Sequence, residues 1–324
     1  SDSYWAPAGH IVAWDQIAGP VTISAPAPHT ATQTVSSVSQ THLILTNNQH
    51  RVFIDRTTGE LSEFNQRQAI IAGPQLNLWR APTDNDHLQE MFAMMRLQAF
   101  PLWRSVGLTQ LQYRVTAVQP VVTPTGAHCI EVRSCATGRE RWDDVQTTHT
   151  YTLTDTGSLR ISTHVVLAPD LVDLPRIGLT LQLDPAFEAL SWYGRGPHEN
   201  YSDRNASSLV GTYHSTVSDQ YTPYIMPQEN GHKGDVRWLS LTDNAGQTLI
   251  IRGDALFGFN ALHYRDADLE VAQFTPELHA RPEIILNLDH GMRGLGTGLM
   301  VDTLPAYQLH DHEYYFTFEF CWEK

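Results

Sequence analysis

Ile177-Gly178-Leu179-Thr180-Leu181-Gln182-Leu183, closed by Asp184-Pro185, decides the fold class of this 324-residue chain. Side chains along a strand point alternately to opposite faces, so the spacing sets Ile177, Leu179, Leu181 and Leu183 on one apolar face of a half-buried strand. A second alternation, Leu159, Ile161, Thr163, Val165 and Leu167, follows the turn Asp155-Thr156-Gly157-Ser158. It pairs as a hairpin with the run from His149 to Leu153. Further strand-like runs lie at 52–54, 111–118, 129–132, 238–241, 249–251, 284–288 and 314–320. Turns rather than helical periods join them, which implies an all-β, antiparallel architecture. A large sandwich fits better than a βα barrel or a doubly wound sheet.

One segment departs from this pattern. Within residues 84–100, Leu88, Met91, Phe92 and Met95 fall at the i, i+3, i+4, i+7 spacing of a short helix behind an Asp/Asn cap. Upstream, Pro20, Pro26 and Pro28 stand among small residues and mark a linker. Ile11, Val12 and Trp14 before it are expected to be the last strand of a preceding domain. The domain reading is therefore 1–25 as the tail of a preceding β-sandwich, 26–38 as linker and 39–324 as one large β domain.

The formal net charge of −14 repels phosphate backbones and anionic lipid, so a neutral substrate is expected and nucleic acid is not. No run approaches the ~20 apolar residues of a membrane helix. Among 21 basic residues only Lys233 and Lys324 are lysines, leaving arginines suited to planar pairing with carboxylates. Three cysteines without CxxC spacing argue against a disulfide framework and fit a reducing cytoplasm. His10, His87, His290 and His312 lack the spacing of a metal site on one element, and no metal is expected in this chain.

The densest polar stretch is WYGRGPHENYSDR at 192–204, on what its glycines and proline mark as a loop. Trp192 could stack on a pyranose while Arg195, Glu199, Asn200, Asp203 and Arg204 satisfy its hydroxyls. The same residues could equally form a network that orders the loop. A second cluster, DQYTPYIMPQENGH at 219–232, holds Glu229 and His232. With 35 acidic residues, composition neither excludes nor identifies a hydrolytic carboxylate pair.

These two motifs, with LWRAPTDND at 78–86 and AGHIVAW at 8–14, occur in order over nearly all the chain. Together they resemble the C-terminal region of β-galactosidases of glycoside hydrolase family 2. The resemblance implies a large antiparallel supersandwich similar to the galactose mutarotase fold, preceded by the last strand of an immunoglobulin-like sandwich. It implies hydrolysis of terminal β-D-galactosides of the lactose type with retention, by glutamates in an upstream barrel of about 250 residues that this chain lacks. No residue here is then catalytic, and the isolated chain is expected to be inactive. The implied partners are that barrel or a large subunit and the β-galactoside, in an oligomeric cytoplasmic enzyme. Mg and Na are implied for the whole enzyme at sites elsewhere.

The family's last domain lends the sugar pocket one loop, which corresponds to residues 294–305. Gly298, Leu299 and Met300 are its substrate-binding candidates, and the loop lacks the tryptophan often found there. The alternatives are a carbohydrate-binding module or a free-standing mutarotase-like epimerase, the latter drawing on Glu229, His232, Glu277 and His279 for proton transfer.

Overall fold

A computed structural model describes residues 4–11, 13–17, 35–47, 49–67, 69–86, 99–123, 126–297 and 303–323. The smaller of its two sheets is a four-stranded meander: β1 (Val35–Val38), β2 (His42–Thr46), β3 (Arg51–Asp55) and β4 (Leu61–Phe64). Alternation turns Leu43, Leu45, Val52 and Ile54 inward, where all four are buried.

The larger sheet runs β12 (Leu209–Thr216), β11 (Ala189–Gly196), β13 (Lys233–Thr242), β14 (Thr248–Leu262), β16 (Glu313–Trp322), β9 (Leu159–Leu167), β8 (Val145–Leu153), β7 (His128–Thr137), β6 (Gln112–Val122). Off this path, β15 (Ile284–Met292) joins β14 to β10 (Arg176–Leu183), and β10 pairs with β5 (Ile70–Asn77). Every pairing among the described strands is antiparallel, as expected.

The fork is β14. Leu249 to Gly253 pair with β16, while Gly258 to Leu262 pair with β15. Between them Asp254, Ala255 and Leu256 are exposed, and a Cβ on Gly253 would stand 2.6 Å from the Ala255 carbonyl, so a glycine serves the bend. One strand thereby serves two parts of a curled sheet over the main core.

In β10, Ile177, Leu179, Leu181 and Leu183 are all buried, as their alternation requires. Each contributes about 1.5–3 kcal/mol by leaving water. The 149–167 hairpin forms with Leu153 opposite Leu159.

Two expectations need correction or restriction. Trp192 to Gly196 do not lie in a loop but complete β11, paired with β12 on one side. A Cβ on Gly194 would meet Val236 at 2.8 Å and one on Gly196 would meet the Tyr213 ring at 2.7 Å. These glycines admit close neighbours within a sheet rather than turning the chain. Of the helix expected within 84–100, residues 84–86 are helical, whereas Leu88, Met91, Phe92 and Met95 lie outside the described residues. A helix α1 (Ala99–Ser105) follows, burying Phe100 and Trp103.

Residues 4–11 and 13–17 form no strand, with Ile11 71% and Trp14 48% exposed. Gln16 ties this segment to the edge strand β12, accepting from the Val210 amide at 2.7 Å and donating to its carbonyl at 2.8 Å. Val12 and residues 18–34, most of the linker, lie outside the described residues. No described helix is long and apolar enough to cross a membrane.

Candidate functional site: the footing of the 294–305 loop

Gly294 to Thr297 leave the end of β15, and Thr303 returns toward the turn at Pro305–Tyr307. Gly298, Leu299 and Met300, the substrate-binding candidates, lie outside the described residues, but both stems of their loop are in view. The Asp203 carboxylate accepts from the amides of Leu295 at 3.1 Å and Gly296 at 2.7 Å. Asn85 donates to the carbonyls of the same two residues at 3.2 and 3.0 Å. Gly294 carries no side chain because a Cβ would stand 2.7 Å from the Asp203 carboxyl carbon, and Gly296 turns at φ +75°. On the returning side, Arg293 donates to the Thr303 hydroxyl at 2.7 Å.

Beneath the stems lie two buried ion pairs that share one indole. Arg80 pairs with Asp86 at 2.7 Å and Arg293 with Asp173 at 2.7 Å. Both guanidinium groups lie over the Trp103 ring, at 5.3 and 5.5 Å. Burial alone would raise the Asp86 carboxyl. Arg80 and the Thr83 amide and hydroxyl outweigh it and hold the group below the ordinary range. Removing Asp203 should free the stem without undoing these pairs. Asp203→Ala is expected to speed proteolytic cleavage within 294–305 several-fold while leaving the melting temperature nearly unchanged. Unchanged cleavage, read by mass spectrometry, would show the carboxylate does not hold the loop.

Deeper still, Arg176 on β10 faces three carboxylates: Asp289 at 2.8 Å, Glu229 at 3.4 Å and Asp266 at 3.4 Å. Asp266 opens the short helix α2 (Asp266–Val271). An amide chain continues the hub, with Asn77 donating to Asn287, Asn287 to Asn260 and Asn260 to Glu229, each within 3.0 Å. One cation cannot neutralise three buried anions, so some keep their protons. Burial pushes Glu229 up to about 8 against the pull of Arg176. Burial likewise raises Asp289 to about 7 and lifts Asp266. It lowers His232 to about 3.

The 192–204 residues divide between two tasks. Trp192 is no stacking platform: it is 1% exposed in the core, and its indole N–H donates to the Arg195 carbonyl. Arg195 pairs with Asp235 at 2.5 Å. Glu199 accepts from Arg204 at 2.7 Å, from the Gly231 amide at 2.9 Å and from the Tyr224 hydroxyl. Asn200 receives the Gly234 amide at 2.8 Å. Thus Glu199, Asn200 and Arg204 stitch this loop to the 219–232 segment, and Asp203 reaches the 294–305 stem. Gln228 of that segment accepts from the Asp84 amide at 3.1 Å, drawing the 78–86 stretch into the same construction. Glu277 and His279, by contrast, sit exposed and apart from it.

Sequence reading missed Arg176, Asp289, Asn260 and Asn287, which lie on strands whose neighbours are apolar. The available signal was charge or amide in the middle of an apolar run, as in Ile284-Ile285-Leu286-Asn287-Leu288-Asp289.

The family described as beta galactosidase small chain matches residues 46–320. A β-galactosidase of Priestia megaterium is 31% identical over 97% of this chain and 30% of its own length. One from Vibrio vulnificus is 33% identical over 90% and 28%. The chain therefore spans about 30% of the length of the curated relatives it matches. Among solved structures, a putative aldose 1-epimerase from Escherichia coli aligns with 87% of this chain and 99% of its own at 9% identity and TM-score 0.44. An aldose epimerase homologue from C. elegans aligns with 89% and 99% at 12% identity and TM-score 0.41.

Proposed function

The chain belongs to the β-galactosidase small-chain family, and from this we infer that it is the non-catalytic, C-terminal part of an enzyme hydrolysing terminal β-D-galactosides of the lactose type. The observation that carries the role is the convergence of residues from three separate motifs, Asn85, Asp203 and Gln228, around the stems of one loop and the segments that support it. A fold that spends this much polar structure on a loop's footing fixes where the loop tip stands. Gly298, Leu299 and Met300 at that tip touch the sugar, while retaining catalysis belongs to glutamates in a barrel-bearing part outside this chain.

Two apolar surfaces support the union with larger parts of the enzyme. Ile225 is 87%, Val271 80% and Phe274 56% exposed, and they border one broad apolar hollow with Met226 and Pro227. Contiguous exposure of this kind marks an interface, and the barrel-bearing part is its occupant. Ile11 and Trp14 complete a preceding sandwich, which fits 1–25 as the tail of that domain and 26–38 as the linker. The three free thiols suit a reducing compartment. The test is direct: the purified chain, given a chromogenic β-galactoside, is expected to give no turnover above a buffer blank. Turnover that survives repurification would place catalytic carboxylates within this chain and end the reading.

A further inference from the structure

Beside the stems of the 294–305 loop, a cleft of about 260 Å³ opens between β13, β15 and the turn leading into β16, lined by Asn200, Tyr201, His232, Phe257, Asp289 and Tyr307 among others. That is about nine times the liquid volume of one water, room for a single pyranose. His232 lies in its floor, 3% exposed, with Nδ1 2.7 Å from the Asn200 carbonyl. Nδ1 must therefore carry the proton and donate it, which leaves Nε2 as an acceptor.

That acceptor has no hydrogen-bond partner, and neither oxygen of Asp289 has one. Asp289 Oδ2 is 3.5 Å from His232 Nε2, and Oδ1 is 2.8 Å from Arg176 Nε, near enough to attract but out of line for a hydrogen bond. Asp289 Oδ1 has its charge partner in Arg176, but buried polar atoms left unmatched cost about 1–3 kcal/mol each, so His232 Nε2 and Asp289 Oδ2 together point to donors that arrive from outside. A Cβ on Gly258 would stand 2.2 Å from His232 Nε2, so any larger residue would collide with that nitrogen and displace the ring.

We propose that this cleft is a sugar site that holds one uncharged pyranose. Its hydroxyls donate to His232 Nε2 and the Asp289 oxygens, and its C–H face lies against Phe257, Leu256 and Tyr307. Anions are opposed by an acceptor-lined floor with the carboxyl groups of Glu229, Asp266 and Asp289 gathered behind it around Arg176. At the rim Arg195 and Asp235 cancel each other's charge. Burial keeps His232 unprotonated, so its Nε2 remains an acceptor near neutrality.

The experiment is saturation-transfer NMR on the full 324-residue chain with millimolar D-galactose and, separately, D-glucose. Transfer from either sugar is expected, with loss in His232→Phe, which removes the acceptor. Leu256→Trp plugs the mouth from an exposed position and should also abolish transfer while leaving the melting curve unchanged, which decides the matter even if the His232 variant fails to fold. No transfer from either sugar to the wild-type chain, or equal transfer to Leu256→Trp, would overturn the proposal.

Discussion

Arg176→Met should destabilise the domain by about 3–5 kcal/mol, the usual loss when one partner of a buried ion pair is removed and its counter-charges stay. Arg176 is fully buried and is the cation nearest Asp289, Glu229 and Asp266. Methionine fills much of the same volume, so lost packing contributes little. What remains are carboxyl groups that must hold protons to stay inside. The loss should therefore be smaller at pH 5 than at pH 8, where keeping those protons costs more. Urea unfolding followed by circular dichroism measures both. A midpoint within error of the wild type at pH 8 would mean the hub does not depend on its cation.

The second large effect is the pH profile of the intact fold. Glu229 and Asp289 have raised values, about 8 and about 7, so the folded chain binds protons the unfolded chain has already lost above ~4.5. Their stabilisation is complete at low pH and disappears as pH rises through those values. His232 and His149 are lowered by burial to about 3 and about 4, so the unfolded chain takes up protons below ~6.5 that the fold refuses. Their contribution is present above ~6.5 and is lost as pH falls. Between roughly pH 4.5 and 6.5 the two carboxyls and two imidazoles cancel, giving a plateau.

Above it only the carboxyl term remains, and stability should fall by on the order of 2 kcal/mol from pH 6.5 to 8, at about 1.4 kcal/mol per proton per pH unit. Calorimetry should show the melting temperature several degrees lower at pH 8 than at 6. A flat or rising profile over that interval would contradict protonated carboxyls in the hub.

Much of the fold was legible because its strands bury one face. Ile177 to Leu183 and Leu159 to Leu167 show strict alternation, and both landed as strands in the expected hairpin and antiparallel order. Where both faces are buried the period vanishes. In β15 every residue from Ile284 to Asp289 is buried, so Asn287 and Asp289 could not be assigned a face from spacing. Glycine misled at Gly194 and Gly196, since a residue type that usually turns a chain here makes room for Val236 and Tyr213. In β5, Gly73 lies within a strand at φ +96°, where a Cβ would meet the Thr180 carbonyl at 2.8 Å.

The site was legible only in part. The 192–204 stretch stood out by its density of polar groups, and Glu199, Asn200, Asp203 and Arg204 bond to each other and to neighbouring segments. Arg176 was not legible at all, because Glu229 in a loop, Asp266 at a helix start and Asp289 on β15 reach it from distant parts of the chain. Asp203 lies 93 residues from the Gly296 amide that it holds, a contact no local pattern encodes.

The central claim is that this part of the enzyme positions sugar and performs no chemistry on it. Steady-state kinetics of the assembled β-galactosidase carrying Leu299→Ala or Met300→Ala tests it most directly. Loss of apolar contact worth about 1 kcal/mol or less should raise KM up to about five-fold with kcat nearly unchanged. A large fall in kcat with KM unchanged would place the loop in the transition state and contradict the account.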